Sequence, residues 1–277
     1  MTFSDRLGIK SSTSGLGEQL RYFPANKIRK WLPAIFGMVF LIISMAVFFY
    51  GIFIATKEMQ LHGAIVFGSN IVWPGSIAII LLIISIWFVW LAYTRWELIG
   101  IEYQNGFAFK DHKGLQTWSW QDITSIRTAI TRQYTNGIYT GTSHVYRVTG
   151  KNGRQLVLND SLSNVEQIAS IIEEKTFPVL YAQAFKKFTD GNFLAFGVVK
   201  LNKSGLQVGK KDYKWEQIDS INLYNGVLQI TKKGTGKLES SRIRVASLPN
   251  FRVLDSILRQ MVGIQPGKDR SIPAKIK

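Results

Sequence analysis

The sequence predicts a membrane-spanning α-helical hairpin joined to an α+β, mainly-β part built from two tandem antiparallel modules, each ending in a helix. Three observations carry this. The stretches Trp31 to Ala55 and Ile71 to Tyr93 contain no Asp, Glu, Lys or Arg. After Arg95 the apolar residues alternate instead of recurring at helical spacing, and clusters of Gly, Asn and Asp separate the runs. A set of landmarks then occurs twice in the same order.

At a rise of ~1.5 Å per residue, each uncharged stretch is long enough as a helix to cross a hydrocarbon core of ~30 Å. A core helix of a soluble domain keeps one polar face, and neither stretch has one. Arg21, Lys27, Arg29 and Lys30 precede the first run and Arg95 follows the second, while the connection over 56–70 carries only Lys57 and Glu58. That asymmetry predicts cytoplasmic N- and C-termini and an exoplasmic loop at 56–70. Trp31, Phe49, Tyr50, Trp73, Trp90, Tyr93 and Trp96 stand where aromatic side chains anchor at an interface. Gly51 and Ala55, four apart, allow close helix approach. Residues 1–30, polar and with a Ser-Ser-Thr-Ser-Gly segment at 11–15, read as a flexible cytoplasmic tail with a short turn of helix near Leu20. The apolar run begins too late and is too long for a cleaved signal peptide, so a retained anchor over 31–93 is expected.

Beyond it, Trp96 to Tyr103, Phe107 to Lys110, Gln116 to Trp120 and Ile123 to Ile130 read as strands. Asn136-Gly137 and Asn152-Gly153 signal tight hairpins, because both residue types tolerate positive φ. His144 to Thr149 is expected to pair with Arg154 to Asn159 across the second. Ser163 and Glu166 then form a capping box ahead of Ile168, Ile171 and Ile172, with Pro178 kinking or interrupting the helix. The pattern restarts with strands at Phe193 to Leu201, Gly205 to Val208, Lys214-Trp215 and Ile218 to Tyr224. Val227 to Thr231 and Leu238 to Val245 follow, joined by a Gly-rich turn at Lys233 to Lys237. Pro249 opens a closing helix along Val253, Leu254, Ile257, Leu258 and Met261. Residues 264–277 read as a disordered basic tail.

Trp120-Gln-Asp-Ile123-Thr-Ser-Ile126 matches Trp215-Glu-Gln-Ile218-Asp-Ser-Ile221. Asn136-Gly137 matches Asn225-Gly226, and Ser161 to Asn164 matches Ser247 to Asn250. The ordered set divides the chain into a first module over 96–190, with its capping and linker helix, and a second over 191–263. The Trp and paired Ile residues are read as core in preference to a ligand-stacking site.

Several antiparallel strands followed by one helix, with this Trp-x-x-Ile-x-Ser-Ile element, resemble a pleckstrin-homology-like (PH-like) barrel. The stretches Thr131 to Thr142 and Leu156 to Asn164 further resemble a family of uncharacterised bacterial membrane proteins with tandem PH-like modules. The resemblance spans roughly residues 96 to 263 and implies two tandem PH-like antiparallel barrels, each closed by a C-terminal helix, on the cytoplasmic face of a bacterial plasma membrane. It implies no reaction.

A net charge of +16 admits nucleic acid or an anionic membrane surface as partner. The hairpin favours the membrane, and the basic residues are not interleaved with a nucleic-acid reading motif. Absence of cysteine excludes disulfides, thiolate metal sites and a thiol nucleophile. Of the three histidines, only His62 has a ligand-type residue at helical spacing, Glu58, which is too few for a catalytic metal. His112 reads as a solvated turn residue, and the Asp and Glu residues form no obvious acid-base pair. No catalytic residue, cofactor or metal site is therefore assigned. Candidate anionic-lipid contacts are Lys200, Lys203, Lys210, Lys211, Lys214, Lys232, Lys233 and Lys237, the competing reading being a solvated basic face. The aromatic turn Tyr134 to Tyr139 suits a protein contact or a packed hairpin tip. The function expected is a non-enzymatic interaction platform for an unidentified protein or anionic lipid. The alternative is a regulatory or assembly subunit of a membrane transporter or enzyme, acting through its helices.

Overall fold

In a computed structural model of the chain, the described residues are 14–63, 65–234, 240–261 and 265–266. They form two compact units. One runs through residue 104 and adds 108–117 and 161–163; the other holds 105–107, 118–160 and the described residues from 164 onward.

The first unit contains the two long helices. Helix α1, Lys27–His62, is capped by Asn26, whose Oδ1 accepts from the backbone N–H groups of Ile28 and Arg29 at 3.1 and 3.3 Å. Helix α2 spans Ile65–Trp96. Both are long and apolar enough to cross a membrane. They outrun the apolar stretches, so the expected loop over 56–70 shrinks to the connection at residues 63–64. Helical backbone needs no apolar side chain to continue, and Glu58 pairs with His62 one turn on (Oε2 to Nδ1 3.1 Å) along the last turns. Gly63, at φ 88°, ends the helix by donating to Met59 O.

Small residues seven apart line the contact between the helices. Gly37, Ser44 and Gly51 are buried on α1; Ala78, Ser85 and Ala92 are buried on α2. A Cβ on Gly51 would lie 2.6 Å from Pro74 Cβ, and one on Gly37 2.9 Å from Val89 Cγ2. Ser44 Oγ donates to Ala78 O and Ser85 Oγ to Gly37 O, both at 2.7 Å. Close backbone approach and interhelical hydrogen bonds join the two helices along this seam. Large side chains such as Phe49, Phe53, Ile83 and Trp87 point outward.

Strand β1, Gln19–Pro24, corrects the expectation of a turn of helix near Leu20. It pairs antiparallel with β2, Ile99–Tyr103, Pro24 opposite Ile99. Strands β3, Gly106–Asp111, and β4, Gly114–Ser119, complete a sheet of order β1-β2-β3-β4. Leu16, Ile99, Ile101, Tyr103 and Ala108 form the core of this unit beside the helices. The helical pair is thus an insertion between two neighbouring strands of one sheet.

The second unit opens with a long hairpin, β5 (Ile123–Thr135) and β6 (Ile138–Gly150), around Asn136-Gly137 at φ 51° and 80°. β7, Gln155–Asn159, pairs with β6 as expected, Val145 opposite Asn159 and Thr149 opposite Gln155, and helix α3 follows at Val165–Thr189. Two expectations fail here. Asn164, left-handed at φ 55°, precedes α3 without a side-chain cap bond, so there is no capping box, and Glu166 is engaged by a histidine instead. Pro178 lies inside an uninterrupted helix.

The second copy follows as β8 (Leu194–Phe196), β9 (Val199–Asn202), β10 (Gly205–Val208), β11 (Lys211–Lys214), β12 (Ile218–Tyr224), β13 (Val227–Lys232) and β14 (Ser241–Arg244). Helix α4, Phe251–Met261, and a short β15 at Gln265–Pro266 end it. Phe193 to Leu201, expected as one strand, is broken at Gly197 (φ 67°). Val199, Leu201, Ile221, Leu228 and Ile230 share a core with Val253, Leu254, Ile257 and Leu258 of α4.

Among the described residues the strands make four sheets: β1-β2-β3-β4, β5-β6-β7, β11-β10-β9-β8 and β14-β13-β12-β15. None closes on itself, which corrects the expectation of barrels. In each copy the ladder stops where a 3₁₀ turn, Trp120–Asp122 or Trp215–Gln217, separates the fourth strand from the fifth. The repeat is nevertheless explicit among the described residues: seven strands and then a helix, twice, with β15 added after the second helix, and with left-handed Asn136 and Asn225, and Asn164 and Asn250, at matching places.

Candidate functional site

The lysines singled out above surround one small sheet. Lys200 lies on β9, Lys203 in the β9–β10 turn, Lys210 in the β10–β11 turn, and Lys211 and Lys214 on β11; all five are exposed. Register places Lys214 opposite Gly205, at the end near Lys203, and Lys211 opposite Val208, beside Lys210. At ~3.3 Å per residue those ends are ~10 Å apart, about one Debye length, so the charges do not converge on one point. Lys232 is half-buried at the end of β13, and Lys233, exposed, donates its backbone N–H to Gln217 O at 2.8 Å. Lys237 lies outside the described residues.

Three arrangements in the second unit stand out, of which only the third was singled out from the sequence. The first is a groove of about 700 Å³, lined by Ile126, Thr128 and Arg132 of β5, Arg244 of β14, and Arg252 and Asp255 of α4. Asn250 fixes one end of it. Its N–H donates to Ile126 O, its Oδ1 accepts from Ile126 N–H, and its Nδ2 donates to Thr124 O, at 2.8, 2.9 and 2.9 Å. Arg252 stacks over the Phe177 ring at 4.7 Å, and Glu173 accepts from the Thr128 hydroxyl at 3.1 Å. Asp255 pairs through Oδ2 with Arg259 at 2.8 Å, while its buried Oδ1 has no hydrogen-bond partner among the described residues.

The second is a cluster around His144. Its Nδ1 lies 2.8 Å from Asp160 Oδ1 and its Nε2 2.7 Å from Glu166 Oε1. A carboxylate oxygen thus stands within hydrogen-bond distance of each ring nitrogen. The Asp160 carboxylate also accepts the His144 backbone N–H at 3.0 Å. Nearby, burial first and then the charges of Glu166, Glu173 and Asp160 push the Tyr146 phenol up to about 12. With both nitrogens committed to carboxylates, the ring offers no free nitrogen as a base; the cluster is a buckle between β6, the segment after β7, and α3. His112 is exposed in the β3–β4 turn, as read from the sequence.

The third is the aromatic turn. Tyr134 and Tyr139 meet edge to face at 5.8 Å, but the tip is exposed instead of packed.

Among the described residues no group of three or more His, Asp or Glu side chains is placed to hold a metal ion. A family model described as a family of unknown function matches residues 9–266. No curated protein matches the chain.

Proposed function

The chain belongs to the DUF6585 family, and from its own residues we propose that it is a non-enzymatic integral membrane protein whose two helices anchor a tandem pair of interaction modules. The observation that carries this is the helical pair: small residues and interhelical hydrogen bonds inside, large apolar side chains outside. In water that outer surface would be a severe aggregation liability; in lipid it is ordinary. The charge bias of the flanks supports cytoplasmic termini. Seven strands followed by a helix in each copy supports the PH-like reading, kept here for its element order and not for barrel closure.

The modules serve as a platform for a protein partner or for anionic lipid, with the lysines around β9–β11 as candidate headgroup contacts. The non-enzymatic part of the reading is supported by the engagement of His144 and Glu173 with neighbouring side chains.

The test uses the full chain, because a fragment beginning at residue 96 would lack β1. Incorporated into neutral nanodiscs, it should bind vesicles containing anionic lipid in a salt-sensitive manner. Replacing Lys210, Lys211 and Lys214 by Gln should weaken that binding. Indifference to lipid charge would leave the protein-partner version. The alternative of an assembly subunit requires a stable partner that co-purifies in mild detergent with the helices alone.

A further inference from the structure

The hairpin of β5 and β6 is longer than the sheet that supports it. β7 covers β6 only from Val145 to Thr149, whereas β5 and β6 stay paired out to Thr135 opposite Ile138. From the Ile130–His144 pair outward the chain is a two-stranded ribbon, a form with little independent stability in water. Its tip presents Tyr134, Ile138 and Tyr139, which are 61, 71 and 55 % exposed. Tyr139 spends its hydroxyl on Thr142 Oγ1, at 2.6 Å, which leaves the ring as the outward surface. Surface apolar residues are unremarkable singly, but three large ones gathered on one turn mark a contact surface.

Charge says what covers it. The ribbon over 130–144 contains no Asp or Glu and carries one arginine, Arg132, two residues from Tyr134. Tyrosine with an aliphatic neighbour, backed by an arginine and no acids, is the composition that settles at the headgroup level of an anionic bilayer. We propose that this ribbon tip is a membrane-contact device that seats Tyr134, Ile138 and Tyr139 in the interfacial layer of an anionic membrane. The inference rests on the anchored-platform reading and deepens it, because it moves the lipid contact from the lysines of the second copy to an aromatic tip in the first.

The chain has no cysteine, so single positions can be labelled cleanly. The full chain carrying Ile138→Cys, labelled with an environment-sensitive nitrobenzoxadiazole dye, is reconstituted in phosphatidylcholine vesicles with or without phosphatidylglycerol. Nitroxide-labelled lipid is the quencher. Ile83→Cys, on the outer face of α2, reports the anchor, and Lys210→Cys reports the lysine surface. The expected result is a brighter, nitroxide-quenched signal at position 138 that grows with phosphatidylglycerol and falls with salt. Tyr139→Asp in the same background should lower the membrane-seated fraction about tenfold. Quenching at 83 with a water-exposed, unquenched dye at 138 overturns the proposal and keeps the anchor. A dye at 138 that is dry but unquenched overturns it in favour of a protein contact. Quenching at 210 and not at 138 returns the lipid contact to the lysines. No quenching at 83 removes the anchored platform, and this proposal with it.

Discussion

Asn250 does two things that only a few residues can. It holds φ near 52° and uses both ends of its amide on the backbone of β5. Asn250→Ala keeps neither the easy left-handed geometry nor the two side-chain bonds, and should cost about 2–3 kcal/mol. Asn250→Gly restores the geometry alone and should recover part of the loss. Thermal melts of the full chain in detergent check both, and equal stability of all three chains would contradict the role. Tyr146 supplies a pH signature. Its folded-state phenol stands at about 12 against 10.0 in the open chain, so the folded state holds its proton more tightly. Its contribution is complete below pH 10 and is lost as the pH rises from about 10 to 12. Tyr146→Phe should therefore flatten the alkaline fall in melting temperature over that window, and an unchanged slope would show that other groups control it.

The helical pair was legible in the sequence because uncharged runs of this length have few other uses, and the Asn-Gly hairpins because positive φ is so selective. The seven-residue spacing of small residues was available in the same letters; of that set only Gly51 was read, paired with Ala55 at a spacing of four. Strand β1 was not legible: its partner lies beyond both helices, and its residues Gln19 to Pro24 look like a polar tail. The His144 buckle was missed for a similar reason, since Asp160 and Glu166 reach it through the turn of β6 into β7 and the start of α3. Barrel closure was over-read, because strand alternation reports which face is buried and says nothing about where a ladder ends. The seam makes its own prediction. Gly51→Leu forces a side chain into Pro74 and should destabilise the helical pair by about 1–3 kcal/mol, whereas Phe53→Leu on the outer face should be near neutral. Comparable heat stability of the two variants in detergent would contradict the packing.

At the scale of the molecule, the anchor is an insertion into a module that is otherwise a copy of its neighbour. Pro24 and Ile99 are opposite one another at the ends of β1 and β2, as Phe196 and Val199 are at the Gly197-Val198 turn of the second copy. Replacing residues 25–98 by a Gly-Val turn should therefore yield a water-soluble, cooperatively melting protein, while a fragment starting at residue 96 should be less stable or aggregate. Size-exclusion chromatography and circular-dichroism melts separate those outcomes. The central claim is that the two helices cross a bilayer and leave the modules on the side of the cytoplasm. Its most direct measurement is labelling of single cysteines at His62→Cys and Lys210→Cys by a membrane-impermeant maleimide in intact cells and in inverted vesicles. The account predicts that position 62 reacts in intact cells and position 210 only in inverted vesicles. Reaction of both from the same side would contradict it.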